Sequence, residues 1–203
     1  MLLSQGTWDV ITIQQYSYLS SNLPTFSPYA KDLYDYVKKI QPQAEVIIHQ
    51  TWAYRKDAKG FSTLPGDKKA KDQEEMWQQS RAAYRTVARD LDLRIMPVGD
   101  VFWSVDSDKK IGYKKDLTFD VEKAKYPALP DQTNSLHVGY HWNKDQKLAF
   151  DANHASAAGC YLGGLIWYST IFNESPKKVT FVPNDVDASF AKKLRKKAAR
   201  AMD

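Results

Sequence analysis

Cysteine is nearly absent from the sequence: Cys160 is the only one in 203 residues. A single thiol cannot form an internal disulfide, and it cannot build the thiolate cluster of a structural zinc site. The redox compartment is therefore left open. Long apolar runs are missing too, since none approaches the roughly 20 residues that a membrane-spanning helix requires. We expect no membrane span.

The first residues also lack the features of a secretion signal. Met1 to Gly6 contain neither the basic segment nor the longer apolar segment that a signal peptide carries. The sequence as it stands does not predict export, although a leader would be lost together with a missing upstream segment. The compartment is therefore unknown.

The overall composition is that of an ordinary globular protein. Hydrophobic residues make up 43% and charged residues 26% of the chain, which argues against wholesale disorder. A chain of this length can bury the core of one domain and is short for two. We therefore expect a single domain over residues 1–203, with an irregular insertion at about 100–150 that contains a hairpin around residues 138–150.

Positive charge is concentrated at the C-terminal end, and it accounts for part of the net charge of +5. Such a run could meet nucleic acid or anionic lipid. Apolar residues recur every fourth position through the same stretch, which favours the solvated face of a terminal helix and no nucleic-acid partner. The basic residues are Lys192, Lys193, Arg195, Lys196, Lys197 and Arg200, and the apolar stripe is Val186, Phe190, Leu194 and Ala198.

Three short segments rich in β-branched residues predict strands of a buried parallel sheet, at residues 8–13, 44–49 and 93–98. Pro97 indicates that the third strand ends there or lies at an edge. Helices are expected between the strands, one over about 28–40 with Ser27 as its N-cap and one over about 72–91. Asp72 and Glu75 form the pattern of a capping box at the start of the second helix. Residues 55–72 are rich in Lys, Gly, Asp and Pro and predict a long surface loop.

This alternation of strands and helices is typical of right-handed βαβ units, and it predicts an α/β fold with a parallel sheet. Ligands of such sheets bind outside the carboxyl ends of the strands. That rule brings residues 14–17, residues 49–54 and the loop after Val98 to one rim, where we expect chemistry.

Three of the histidines are weaker candidates. His137 and His141 have the spacing H-x-x-x-H, which would suit a metal only on a helix, and their neighbours indicate strand or loop. A structural role is therefore favoured for both. His49 ends a predicted strand and could reach the rim, although burial beside Trp52 is the commoner fate of such a residue.

The segment F-D-A-N-H-A-S-A-A-G-C-Y-L at residues 150–162 is the most informative. Asp151 precedes His154 by three residues, just before an apolar helix. On a short turn the carboxylate could accept from the imidazole Nδ1, which leaves Nε2 free to take a proton from a hydroxyl nucleophile. On spacing alone, a helix cap with a satisfied histidine is the more common outcome.

The same block, D-A-N-H-A-S-A-A-G-x-Y-L, resembles the last sequence block of the SGNH/GDSL hydrolases. W-D-V-I-T-I-Q-Q-Y-S, H-Q-T-W-A-Y and I-M-P-V-G-D resemble, more narrowly, a bacterial subgroup first catalogued as a domain of unknown function. The resemblance implies a three-layer α/β/α, flavodoxin-like sheet and an esterase that needs no metal or organic cofactor. It implies that Asp151 orients His154 and that His154 serves as general base and then general acid. Gln14, Gln15 and Ser17 would lie in the oxyanion or substrate-binding region; the alternative is that they satisfy loop backbone groups.

The sequence departs from that family in one respect, because nothing before Trp8 supplies the strand and G-x-S block that carry the serine. We therefore expect an N-terminally incomplete sheet without its first strand, and little or no esterase turnover by this chain alone. Ser17 is a poor substitute nucleophile, since no nucleophile-elbow glycines surround it. The alternative is a catalytically silent α/β domain that binds a ligand or partner. The family implies a small-molecule or glycan ester as substrate, possible export, and nothing about oligomeric state.

Overall fold

A computed structural model describes residues 2–202 of the chain. The described residues divide into two compact units, the first formed by residues 2–53 and 60–100 and the second by residues 54–59 and 101–202. Within the described residues, no helix combines the length and the apolarity that crossing a bilayer would require.

The first unit contains a three-stranded parallel sheet in the order β1-β2-β3. The strands are β1 (Val10–Ile13), β2 (Glu45–His49) and β3 (Arg94–Met96), with Val10 opposite Glu45 and Ile47 opposite Arg94. All three predicted strands are present, and the third ends before Pro97 at the edge of the sheet. The predicted α/β class with a parallel sheet is confirmed.

Two helices connect these strands, α1 (Tyr29–Ile40) and α2 (Gln73–Asp90). The capping predicted for α2 is confirmed, because the Glu75 N–H donates to the Asp72 carboxylate at 2.8 Å. The capping predicted for α1 is wrong: its N-cap residue is Pro28, which has no side chain that can accept, and Ser27 lies one position too early. A short 3-10 helix at Leu2–Ser4 precedes β1, and another at Leu23–Phe26 precedes α1.

The core of the first unit joins one face of the sheet to both helices. Alternate strand positions point to this face, and the helical positions follow at three- and four-residue spacing. Its buried members are Ile13, Phe26, Val37, Val46, Ile48, Ala83, Tyr84, Val87 and Ala88. Burial agrees with the periodicity for α2, where Tyr84 and Val87 are buried. In α1 the agreement is partial, because Val37 is buried whereas Tyr29 and Leu33 are exposed.

The second unit combines an antiparallel hairpin with helices. The helix α3 (Val98–Asp106) begins in the first unit and ends in the second. The hairpin follows after a 3-10 turn at Val121–Lys123 and consists of β4 (His137–Trp142) and β5 (Leu148–Ala155). Then come α4 (Ala157–Phe172), a 3-10 turn at Pro176–Lys178 and α5 (Ala188–Arg200).

The terminal helix α5 packs as its sequence pattern predicts. Its N-cap Asp187 accepts from the Phe190 N–H at 2.8 Å, and the stripe of Val186, Phe190, Leu194 and Ala198 is buried. Two of its cations are engaged within the unit, since Arg195 donates to the Tyr161 hydroxyl and Lys197 pairs with Asp108 at 2.8 Å. Lys192, Lys193, Lys196 and Arg200 are exposed, as expected for a solvated face.

The prediction of a surface loop over residues 55–72 is wrong at several positions. Arg55, Phe61, Ser62 and Ala70 are all buried, and Arg55 exposes 1% of its surface. Composition indicated exposure because Lys, Gly, Asp and Pro are common there. The structure instead buries Arg55 against Gln132 and Ser62 against Ser21, partners that are distant in sequence.

Candidate functional site

Asp151 and His154 lie together on the hairpin strand β5. The Asp151 carboxylate accepts from the His154 ring Nδ1 at 2.8 Å and from the backbone N–H groups of Asn153 and His154 at 3.0 and 2.9 Å. Three hydrogen bonds thus converge on one carboxylate. Both the backbone N–H and the ring of His154 are held by Asp151, so the orientation of the imidazole is fixed at two points.

The two side chains differ in exposure: His154 exposes 81% of its side chain and Asp151 exposes 26%. An Nδ1–H that donates to Asp151 leaves Nε2 as the unprotonated nitrogen of the neutral ring. The His154 ring is hydrogen-bonded to Asp151 through Nδ1. The Nε2 of the ring is therefore not bonded to Asp151 and is the nitrogen that can accept a proton.

Electrostatics keep the carboxylate ionised. Burial raises the pKa of Asp151, but the hydrogen bonds from the His154 backbone, the His154 ring and the Asn153 N–H outweigh burial and hold that pKa below its ordinary value of 3.8. Asp151 is therefore an anion at neutral pH, and as an acceptor it favours the Nδ1–H tautomer of His154.

A buried arginine supports the strand that carries this pair. The Arg55 backbone N–H donates to the Ala152 carbonyl at 2.9 Å, in the middle of the Asp151–His154 segment. Its guanidinium pairs bidentately with Asp57 at 2.7 and 3.0 Å, and it lies over the rings of Tyr113 at 4.4 Å and Phe150 at 5.0 Å. The charge is thus neutralised and sandwiched rather than exposed.

The guanidinium also reaches β4. It donates to the Gln132 Oε1 at 2.7 Å, and that oxygen accepts from the Tyr140 N–H at 2.7 Å. Gly139, opposite Asp151 in the ladder, has φ +68, and a Cβ there would overlap both the Arg55 Nη1 and the Gln132 Oε1. Only glycine lets the backbone approach this closely. The only local sign of this network in the sequence is a glycine within the predicted hairpin.

The other predicted site residues, Gln14, Gln15 and Ser17, belong to the first unit. The Gln15 amide donates to the Thr25 carbonyl and hydroxyl at 3.0 and 3.1 Å, and its Oε1 accepts from the Tyr16 N–H at 2.8 Å. Gln14 is exposed and lines, with Gln15, a small cavity of about 80 Å³. The Ser17 carbonyl accepts from the Ser20 hydroxyl at 2.8 Å. The structure therefore uses the Gln15 amide within its own loop.

The other three histidines lie in a core or on a strand. His49 is buried with its ring 6.4 Å from Trp52, as predicted, and burial lowers its pKa to about 4. His137 and His141 lie on the strand β4, and His137 is 1% exposed with its ring 6.0 Å from Phe102. Residues 2–202 contain no group of three His, Cys, Asp or Glu side chains arranged to hold a metal ion.

Fold and site together define an α/β protein with a carboxylate–imidazole pair at the end of a hairpin. Residues 1–126 match the family described as "Domain of unknown function (DUF4886)", and the chain belongs to this family. The matched segment ends before the hairpin that carries Asp151 and His154. Among curated proteins, no sequence matches the chain.

Two solved structures resemble this one. A DUF4886 family protein from Bacteroides uniformis ATCC 8492 is 17% identical with a TM-score of 0.70, over 99% of this chain and 64% of that one. The chain thus spans less than two thirds of the length of that relative. "A putative SGNH hydrolase" from Slackia heliotrinireducens is 18% identical with a TM-score of 0.49, over 83% of this chain and 68% of that one. The first of these shows that the fold is shared, and it carries no information on activity.

Proposed function

We propose that Asp151 and His154 are the acid–base pair of an SGNH-type serine hydrolase that cleaves acyl esters. The observation that carries the proposal is the 2.8 Å bond between the Asp151 carboxylate and the His154 Nδ1, on an imidazole that is 81% exposed. The sequence resemblance of residues 151–162 to the SGNH/GDSL block adds support. Gln14, Gln15 and Ser17 stay predictions for the oxyanion and substrate-binding region.

In this reaction the His154 Nε2 removes the proton from a serine hydroxyl as its oxygen attacks the ester carbonyl. Asp151 stabilises the imidazolium that forms, without taking the proton itself. The imidazolium then donates its proton to the departing alkoxide, which leaves an acyl-enzyme. A water molecule then attacks the acyl carbon while His154 takes its proton. The imidazolium returns that proton to the serine oxygen as the carboxylic acid leaves, so the imidazole is neutral again.

The proposal requires a nucleophile. Of the serine hydroxyls in residues 2–202, none is hydrogen-bonded to His154, whose bonds go to Asp151. The nucleophile is therefore the one part of the proposed triad that has to be found by its reactivity. A serine hydroxyl that is activated in this way should be recognised by its reaction with a fluorophosphonate.

Two measurements test the proposal. Long-range ¹H–¹⁵N NMR spectra should show neutral His154 as the Nδ1–H tautomer, which Asp151→Asn should lose because the amide is a weaker acceptor. Hydrolysis of p-nitrophenyl acetate by the chain should be slow and should fall to the buffer rate in His154→Ala. His141→Ala is the matched control, since His141 lies on the same hairpin with its Nδ1 near the Gly139 carbonyl rather than a carboxylate.

The outcomes separate the alternatives. An Nε2–H tautomer, or a hydrolysis rate that is the same with and without His154, would remove the support for the proposal. Robust hydrolysis that both His154→Ala and Ser17→Ala abolish would instead place the nucleophile at Ser17.

The second candidate function is a catalytically silent domain that binds a ligand or partner. The Gln15 hydrogen bonds to Thr25 favour it, because an amide engaged within its own loop is not a free oxyanion donor. In that case the tautomer would be retained, whereas no ester would be turned over and no serine would react with the fluorophosphonate, even in a longer chain that carries a G-x-S segment.

A further inference from the structure

A second feature of the same unit has no role in the acid–base chemistry. A cavity of about 450 Å³ lies along the helix α4 and the segment 179–183, and we call it the α4 cavity. The helix contributes Ala157, Cys160, Gly164 and Tyr168, which form one stripe at three- and four-residue spacing. The volume lies within the range of roughly 300–1,000 Å³ that is usual for small-molecule sites.

The lining is almost entirely apolar. Of the described residues that border the α4 cavity, none is charged. Phe181 forms part of the wall and is 69% exposed, and the hydroxyl of Tyr161 is already engaged by Arg195 at 2.8 Å. A sugar would lose hydrogen bonds to water here without regaining them, whereas an alkyl chain loses none. The cavity therefore favours a hydrocarbon ligand.

The α4 cavity begins beside the candidate catalytic pair. Ala157 follows His154 by three residues, so their Cα atoms lie within about 11 Å of each other. The Cys160 thiol, which lines the cavity, contacts the Ala155 carbonyl at 3.8 Å, and Ala155 directly follows His154. A ligand with a polar group near His154 can therefore extend an apolar tail along α4.

We propose that the α4 cavity binds the unbranched acyl chain of the ester on which the Asp151–His154 pair acts, an inference that rests on the proposed function. The shared chemistry is a linear acyl group of medium length, whether a lipid or an acylated sugar carries it. At about 30 Å³ for each water-sized group, the volume corresponds to about fifteen such groups, so it accommodates a chain of roughly ten methylenes with room to spare. Acetyl esters would leave the cavity unfilled.

The position of Cys160 gives a direct assay of binding. It is the only cysteine, it is exposed, and it lines the cavity, so alkylation by iodoacetamide reports occupancy at one site. We expect decanoate, below the concentration at which it forms micelles, to slow alkylation. Each buried methylene raises affinity up to about fourfold, so half-protection by decanoate should need at least about tenfold less ligand than half-protection by butyrate.

Gly164→Leu should fill part of the cavity, since a Cβ at Gly164 meets no atom within 4 Å and leucine suits a helix better than glycine. We expect this variant to fold, as circular dichroism would verify, and to lose at least about tenfold in decanoate affinity. Lys196→Leu is the matched control, because it adds the same side chain to an exposed position of α5 outside the cavity. Amide NMR shifts on adding decanoate measure affinity independently of the thiol.

Equal protection by butyrate and decanoate, or undiminished protection in Gly164→Leu, would overturn the acyl-chain site. Protection that behaves as expected beside an Nε2–H tautomer of His154 would retain the site and remove the catalytic proposal. The expected tautomer without protection by decanoate would remove the acyl-chain site and leave the catalytic proposal standing. The two failures are therefore distinguishable.

Discussion

The substitution Gly139→Ala tests whether the buried arginine network holds the hairpin. Gly139 has φ +68, and alanine pays roughly 1–2 kcal/mol to adopt that left-handed conformation. The added Cβ would also overlap the Arg55 Nη1 and the Gln132 Oε1, which form a 2.7 Å bond. Breaking a hydrogen bond to a charged group costs about 1.5–3 kcal/mol. We expect a total loss of about 3–5 kcal/mol of unfolding free energy.

The control for this prediction is Gly66→Ala. Gly66 has φ +75, but nothing lies within 4 Å of a Cβ there. It should therefore pay only the backbone cost of roughly 1–2 kcal/mol. The difference between the two variants, about 2–3 kcal/mol, measures the overlap with the network rather than the conformation of the backbone.

The assay is urea unfolding, combined with hydrogen exchange of the β4 and β5 amides so that the loss is assigned to the hairpin. With a slope of about 2 kcal/mol per molar urea, the Gly139→Ala midpoint should lie about 1 M below that of Gly66→Ala. Gln132→Ala removes one of the overlapping atoms, so the double variant should lose less than the sum of the single losses. Equal losses for the two glycines, or strict additivity with Gln132→Ala, would refute the reasoning.

The sequence predicted the elements of the first unit because their signals are local. The strand β2 is a short apolar run, and the capping pair Asp72 and Glu75 stands three residues apart at the start of α2. Each element can be predicted from a window of about ten residues, because such a window contains both the hydrophobic period and the capping residues. The first helix shows the limit, because a serine before a proline gives the same sequence pattern whether or not it caps.

The Asp151–His154 contact was also predictable for a local reason. A carboxylate can accept from backbone N–H groups two and three residues ahead, and the same turn brings the ring of the third residue within reach. The structure adds that the pair lies on a strand of a hairpin rather than on a free turn. That placement gives it a rigid ladder partner in Gly139.

The support beneath the pair could not be predicted, because its contacts are long-range. Arg55 meets Gln132 and Ser135 across 77 and 80 positions of sequence. An arginine among Lys, Gly and Asp residues has the composition of a surface loop, and burial of its charge depends on partners that no local pattern identifies. The use of the Gln15 amide by Thr25 is hidden for a similar reason, although only 10 positions separate them.

Two further predictions concern stability. Leu194→Ala, at a position with 0% exposure, should cost about 2–5 kcal/mol and lower the thermal midpoint, whereas Leu117→Ala, at 86% exposure, should change it by less than about 0.5 kcal/mol; equal midpoints would contradict the packing of α5. His49 has a pKa of about 4 in the folded chain and 6.5 when exposed, so it stays neutral in the fold while the unfolded chain takes up a proton. The contribution of His49 to stability is therefore largest above pH 6.5, and it falls by up to about 3 kcal/mol as the pH drops towards 4, below which it no longer changes. Urea midpoints of the wild type and His49→Gln between pH 7.5 and 4 measure it, and parallel pH curves for the two proteins would show that the buried imidazole is not the group that titrates.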